Sequence, residues 1–220
     1  MQAITDTKHL TVQTLPPILV LTGEDVGQFE WLKKDILKKI GYDPSDLNYS
    51  YFDMKEASYA EVELDLVSLP FFADEKIVIL DHLLDLTTAK KRNLTDEDLK
   101  QFENYLENPS ESTRLVIFAE GKLDSKRRLV KLLKRDAQII EATSPKEQDL
   151  KCYFASQAQE LGIQFVGDSL DQLLLKSGYD FGELQKNLAL LQAYKEDGQI
   201  TLQDIEEVVP KTLQDNIFDL

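Results

Sequence analysis

The sequence predicts an α/β fold: a five-stranded parallel sheet followed by a small all-helical unit. Three observations carry this. Five short apolar runs alternate with segments of helical periodicity over the first two thirds of the chain. The runs are mostly continuous rather than alternating, as in strands covered on both faces. After Ala142-Thr143-Ser144-Pro145 the apolar residues recur only at helical spacing.

Residues 1–17 are mixed and end in Pro16-Pro17, which reads as a short helix or an extended lead-in. Ile18-Leu19-Val20-Leu21 is the first strand, closed by Thr22-Gly23-Glu24-Asp25. A helix follows over 26–40, with Phe29, Leu32, Ile36, Leu37 and Ile40 inward and Gly41 as its stop. Tyr49-Ser50-Tyr51-Phe52-Asp53 is the second strand. Residues 59–68 form a helix with Val62, Leu66 and, by the same spacing, Leu69 inward. Pro70 cannot extend that helix and drives Leu69 into extended backbone. Leu69-Pro70-Phe71-Phe72 is therefore a helix-to-strand junction, and the third strand, 76–80, ends in Asp81-His82. Residues 84–95 read as a polar, basic loop. Thr95 with Asp96, Glu97 and Asp98 starts a helix through Leu106. Strand four is 114–119, and strand five is 138–141. Between them, Leu129, Val130, Leu132 and Leu133 give 122–135 a buried side, while Lys126, Arg127, Lys131, Lys134 and Arg135 form the main basic cluster.

Beyond Pro145 the sequence reads as helices only, over 146–210. Leu150, Phe154, Ala158 and Leu161 share one face. Leu170, Leu173 and Leu174 are inward in a second helix, Leu184, Leu188 and Leu191 in a third, and Ile205, Val208 and Val209 are apolar in a short fourth.

Composition narrows the function. The chain has 220 residues, 42% of them hydrophobic and 30% charged, with a formal net charge of −15. It is long enough to bury a core, and it is too acidic for a stand-alone DNA binder, since phosphates demand local Lys and Arg. The lone cysteine, Cys152, supports neither a disulfide framework nor a cysteine zinc site within one chain, which fits a reducing, cytoplasmic setting. The N-terminus lacks the pattern of a signal peptide, and no apolar run approaches the roughly 20 residues that span a bilayer.

Strand, glycine turn and helix at 18–40 have the shape of a phosphate-binding loop. The chemistry needs Lys and then Ser or Thr behind the second glycine. Counted from Gly23, those slots and the glycine slot fall on Gln28, Phe29 and Glu30, and Glu24 and Asp25 repel phosphate. A plain strand-to-helix turn is the better reading. Asp81 stands where nucleotide hydrolases carry an acid for magnesium, but His82 replaces the following Glu, so Asp81 reads as a strand-end cap. The basic cluster reads as a solvated helix face or as a contact for nucleic acid or an acidic neighbour. Phe71 and Phe72 read locally either as core or as anchors offered to a partner.

Leu19-Val20-Leu21-Thr22-Gly23-Glu24-Asp25, the Ser68-Leu69-Pro70-Phe71-Phe72 junction before a strand, Leu115-Val116-Ile117-Phe118 with Gly121-Lys122-Leu123-Asp124, Val209-Pro210 and the tail Asn216-Ile217-Phe218-Asp219-Leu220 occur in one order. In these the chain resembles the delta subunit family of the bacterial DNA polymerase III clamp loader, of the Gram-positive type, over its whole length. The resemblance implies an AAA+-like α/β domain with a degenerate phosphate loop over 1–143, a helical lid over 144–212, and at 213–220 the start of a missing helical collar domain. It implies a non-catalytic subunit, without a cofactor or metal, that binds the sliding clamp (the beta subunit) through Leu69, Phe71 and Phe72. The subunit would help open the ring for loading onto primed DNA. Other loader subunits would be held mainly by the missing domain. Primer-template DNA would be met only in the assembled loader, where Lys126, Arg127, Lys131, Lys134 and Arg135 are possible DNA or subunit contacts. The alternative reading is an atypical ATPase or kinase.

Overall fold

The computed structural model describes residues 1–71, 73–195 and 198–210. It divides into two compact units, Gln2–Thr143 and a second that begins at Ser144.

The first unit is built on strands β1 (Ile18–Gly23), β2 (Tyr49–Asp53), β3 (Lys76–Asp81), β4 (Thr113–Glu120) and β5 (Gln138–Ala142). All pairs are parallel and the order is β2-β3-β4-β1-β5. Every residue of β1 and β3 is buried, whereas every residue of β2 is half-buried, as suits an edge strand. Helices α1 (Gln2–Thr7), α2 (Val26–Lys39), α3 (Tyr59–Val67), α4 (Asp96–Glu107) and α5 (Arg128–Asp136) complete the unit.

Side-chain alternation along the strands assigns the two faces. Ile18, Val20, Val78, Leu80, Leu115 and Ile117 share a core cluster with Val62 and Leu66 of α3, Phe102 and Leu106 of α4, and Leu129, Val130 and Leu133 of α5. The alternate set, including Leu19, Leu21 and Phe118, is equally buried. On that side α2 contributes buried Phe29, Leu32 and Ile36, and the Lys33 ammonium lies 5.7 Å from the Phe118 ring centroid. The helix starts follow local chemistry. Asp25 caps α2 by accepting from Gln28 N, while Ser58 with Glu61 and Thr95 with Asp98 form capping boxes.

The segment 84–95 is more ordered than its polarity suggests. Leu84–Leu86 is a 3₁₀ turn, and Leu83, Asp85 and Leu86 are fully buried. Asp85 is held there by accepting from the backbone N–H of Asn93 (2.7 Å) and Leu94 (3.2 Å).

The second unit holds α6 (Glu147–Glu160), α7 (Ser169–Lys176), α8 (Phe181–Tyr194) and α9 (Leu202–Val208). Tyr153, Phe154 and Phe181 pack with ring centroids 5.2–5.6 Å apart. It is not purely helical: β6 (Gln164–Phe165) pairs in parallel with β7 (Gln199–Ile200). Strands of two residues are too short to show a period. Leu161, expected on the inner face of α6, lies just past the end of that helix and is 41% exposed. Leu37 and Leu170 are half-buried rather than core. The expected start of a further domain at 213–220 lies outside the described residues. No helix among the described residues is long and apolar enough to cross a membrane.

Candidate functional site

The junction between α3 and β3 is held at both ends. Lys76, the first residue of β3, is 5% exposed. Its ammonium reaches back to the C-terminal turn of α3, where it donates to the Ser68 hydroxyl (2.6 Å), the Asp65 carbonyl and the Asp65 carboxylate (3.2 Å). A cation there also complements the carbonyl end of the helix. Near the other end of the loop, Arg114 of β4 grips Glu75 through Nε (2.9 Å) and Nη2 (2.5 Å). Those hydrogen bonds hold the Glu75 carboxyl below the usual carboxylate range. Pro70 restricts its own φ within the loop.

This clamped segment carries its apolar residues outward. Leu69, placed inward by helical spacing, lies past the end of α3 and is 75% exposed, and Phe71 is 79% exposed. Phe72 lies outside the described residues. Leu64 and Val67, not singled out from the sequence, are also exposed, at 71% and 60%. They stand three apart on α3, hence on one face, out of phase with the buried Tyr59, Val62 and Leu66. That phase was the available signal. Large apolar residues exposed within so short a stretch mark an interaction surface more than a soluble exterior.

At the opposite, carboxyl edge of the sheet, the strand-helix turn after β1 is occupied by the chain's own groups. Gly23 has φ 135°, and a Cβ on it would lie 2.1 Å from the Ala142 carbonyl oxygen. Its N–H and C=O pair with Gly121 at 3.0 and 2.7 Å. The glycine therefore serves close packing of β1 against its neighbours. The first turn of α2 is occupied by the Asp25 carboxylate, 2.8 Å from Gln28 N. Gln28 and Phe29, in the slots where the phosphate chemistry needs glycine and Lys, are buried.

Asp81 is more than a strand-end cap. It is 3% exposed, and its Oδ2 takes the Lys33 ammonium at 2.5 Å together with the Tyr51 hydroxyl. Its Oδ1 accepts from His82 N at 2.9 Å, and the His82 ring meets Asp53 at 2.9 Å. Burial first, then the bond to Asp81, pushes the Tyr51 phenol well above its ordinary value. Lys33 thus supplies the positive charge that faces the buried Asp81 carboxylate. Among the described residues no group of three or more His, Cys, Asp or Glu side chains is arranged to hold a metal ion.

The basic cluster is dispersed by the fold. Lys126, Lys131, Lys134 and Arg135 are exposed. Arg127 turns inward, donating to the Asp85 carbonyl and pairing with Asp124 (3.2 Å). Lys134 bonds Ser125 (2.9 Å), and Arg135 pairs with Asp136 (2.6 Å). Arg128 spans to Glu103 (3.5 Å) and Glu107 (2.6 Å) on α4. These pairings leave a milder positive face than the sequence run implies.

Residues 19–143 match the family described as DNA polymerase III, delta subunit. The chain is 27% identical over 219 residues to the DNA polymerase III subunit delta of Bacillus subtilis (strain 168), covering 97% of this chain and 62% of that protein. It superposes on the solved Bacillus subtilis DNA clamp loader delta protein (YqeN) with a TM-score of 0.67 and 24% identity, over 99% of this chain and 64% of that one. A point mutant of Thermotoga maritima RuvB superposes with a TM-score of 0.54 and 10% identity, over 86% of this chain and 60% of that one. These two structural likenesses speak for the AAA+-like α/β fold alone. The chain spans just under two thirds of the length of the curated relative.

Proposed function

The chain belongs to the DNA polymerase III delta subunit family, and from that premise we propose that it is a non-catalytic clamp-loader subunit that binds the sliding clamp and helps open the ring for loading onto primed DNA. The observation that carries this is the exposure of Leu69 and Phe71 on a junction whose two ends are pinned by Lys76 and Arg114. An apolar anchor that is already held in place loses less conformational freedom on binding, which favours affinity. Leu69, Phe71 and Phe72 are the proposed clamp-binding residues, with Leu64 and Val67 beside them. The α/β domain over 1–143 carries the docking element, and 144–212 is read as the lid. Contacts with other loader subunits, and with primer-template DNA in the assembled loader through Lys126, Lys131, Lys134 and Arg135, belong to the same reading, as does a cytoplasmic location. The closed phosphate turn supports a subunit that leaves nucleotide chemistry to its neighbours.

The test is titration of the chain against purified sliding clamp, beside Phe71→Ala/Phe72→Ala. Binding by the parent and its loss in a double variant with unchanged melting supports the reading. Equal binding by the variant refutes the anchor assignment. The competing ATPase or kinase reading requires magnesium-ATP to raise the melting temperature of the parent chain; the present reading expects no shift.

A further inference from the structure

A pocket of about 170 Å³ opens beside the docking junction, at the amino ends of β2, β3 and β4. One water needs only about 10–15 Å³ on such a measure, so the pocket has room for a side chain. Its apolar wall is Val12, Tyr49, Ala73 and Ile77. Ala73 and Glu75 belong to the loop that carries Phe71.

Its polar groups are unbalanced towards acceptors. Arg114 also lines the pocket, but its guanidinium is engaged by Glu75, so those two charges cancel. Asp46 has no cation within ion-pairing distance among the described residues. Asn48 Nδ2 donates to Asp46 Oδ1 at 2.9 Å, as does Asn48 N, which fixes the amide with its oxygen turned the other way. That oxygen is buried and has no hydrogen-bond partner. A buried acceptor left unpaired is costly. An apolar wall with an uncompensated carboxylate among the lining residues matches a flexible alkyl stem tipped by a cation.

We propose that this pocket receives a lysine or arginine side chain of the protein that docks on the Leu69–Phe71 junction. The identity of the occupant rests on the docking reading; the preference for an alkyl cation rests on the pocket alone.

The two parts are separated by experiment. The ¹⁵N-labelled chain is titrated with n-butylammonium chloride, which has the shape of a lysine side chain, and in parallel with 1-butanol and with sodium chloride at equal ionic strength. The expected result is saturable amide shifts confined to the surroundings of Asn48, Tyr49, Ala73, Glu75 and Ile77, seen with butylammonium only. Asp46→Asn, which keeps the turn acceptor, should weaken them roughly two- to fivefold, the size of one partly exposed charge pair, and Val12→Trp, at an exposed position, should abolish them. Equal shifts with butanol, no local shift with butylammonium, or indifference to Asp46→Asn overturns the cation pocket. Against the sliding clamp, Asp46→Asn should weaken binding by a similar factor and flatten its salt dependence. If the parent binds the clamp and Asp46→Asn binds equally well, the occupant is wrong. If the parent binds no clamp, the docking reading fails and takes the occupant with it, while the butylammonium titration still decides the pocket.

Discussion

Replacing Lys33 by Met tests whether the ammonium is the countercharge that lets Asp81 stay buried. The pair is close, 2.5 Å, with the two side chains 14% and 4% exposed. Removing one member of a buried pair typically costs about 3–5 kcal/mol, because the remaining charge keeps its desolvation penalty. Asp81 would still accept from Tyr51 and His82 N, so the lower end, about 3 kcal/mol, is expected. In melting temperature this is roughly 6–12 °C for a unit of about this size. Lys33→Met/Asp81→Asn removes both charges and leaves a near-isosteric amide. Its cost should fall to about 1 kcal/mol, the scale of an imperfect buried hydrogen bond. Urea unfolding of parent, both single variants and the double variant closes the cycle, provided the m value stays constant. A single variant that loses less than about 1 kcal/mol, or a double variant as unstable as the two singles summed, would refute the countercharge role.

Gly23→Ala should destabilise by at least about 3 kcal/mol in urea unfolding, since φ 135° is strained for alanine and the new Cβ meets backbone that cannot swing away. Gly41→Ala, whose nearest contact would be 3.7 Å, is the control and should cost about 1 kcal/mol. Phe102→Ala, at a fully buried ring, should cost about 3–5 kcal/mol of folding stability, whereas Phe71→Ala should stay within about 0.5 kcal/mol by thermal melting. The latter should instead weaken clamp binding roughly 10- to 100-fold, the worth of burying one large apolar side chain. In the helical unit, Lys195 at 2.7 Å and the Thr201 cap hold the Asp204 carboxyl down at about 2. A carboxyl depressed on folding stabilises fully above its unfolded value, near 4. Its contribution is lost as pH falls from there through about 2. Circular-dichroism acid titration of Lys195→Met should therefore show the α8–α9 unit melting at higher pH than the parent.

The sheet was legible because buried parallel strands are short continuous apolar runs, and Ile18-Leu19-Val20-Leu21 or Leu115-Val116-Ile117-Phe118 permit little else. The cap at Thr95 was legible because its chemistry is local. What escaped is non-local or too short. β6 and β7 are two residues each and exist through pairing across 35 residues of chain, Gln164 with Gln199. Lys33 and Asp81 are separated by 48 residues, and nothing in either neighbourhood announces the other. Arg127 looked like one of a basic run, yet a single carbonyl, that of Asp85, turns it inward. At the junction the residues alone left Phe71 between core and surface. The exposure of Leu64 and Val67 was in principle readable, since they break the phase of α3.

These features fall at opposite ends of the sheet. Open parallel sheets offer their ligand crevice at the carboxyl ends of the strands. Here that edge is filled by the chain's own groups: Asp25 sits on the first turn of α2, Gly23 is pressed against Ala142, and Lys33 neutralises Asp81. Each places an internal partner where open sheets leave room for an exchangeable one. The exposed apolar residues and the acceptor-rich pocket lie at the other end, where Lys76, Ile77 and Arg114 begin their strands. Ligand-sensing elements need a low-stability, rearrangeable edge, whereas a docking anchor gains from rigidity. The buried Lys33–Asp81 pair at the carboxyl edge stiffens β3, which begins where the loop that carries Leu69 and Phe71 ends. On this argument Lys33→Met should soften the amino-edge loop as well, and hydrogen exchange at Ala73, Glu75 and Lys76 faster than in the parent would show it. Exchange faster only around Asp81 would mean the two edges are mechanically independent.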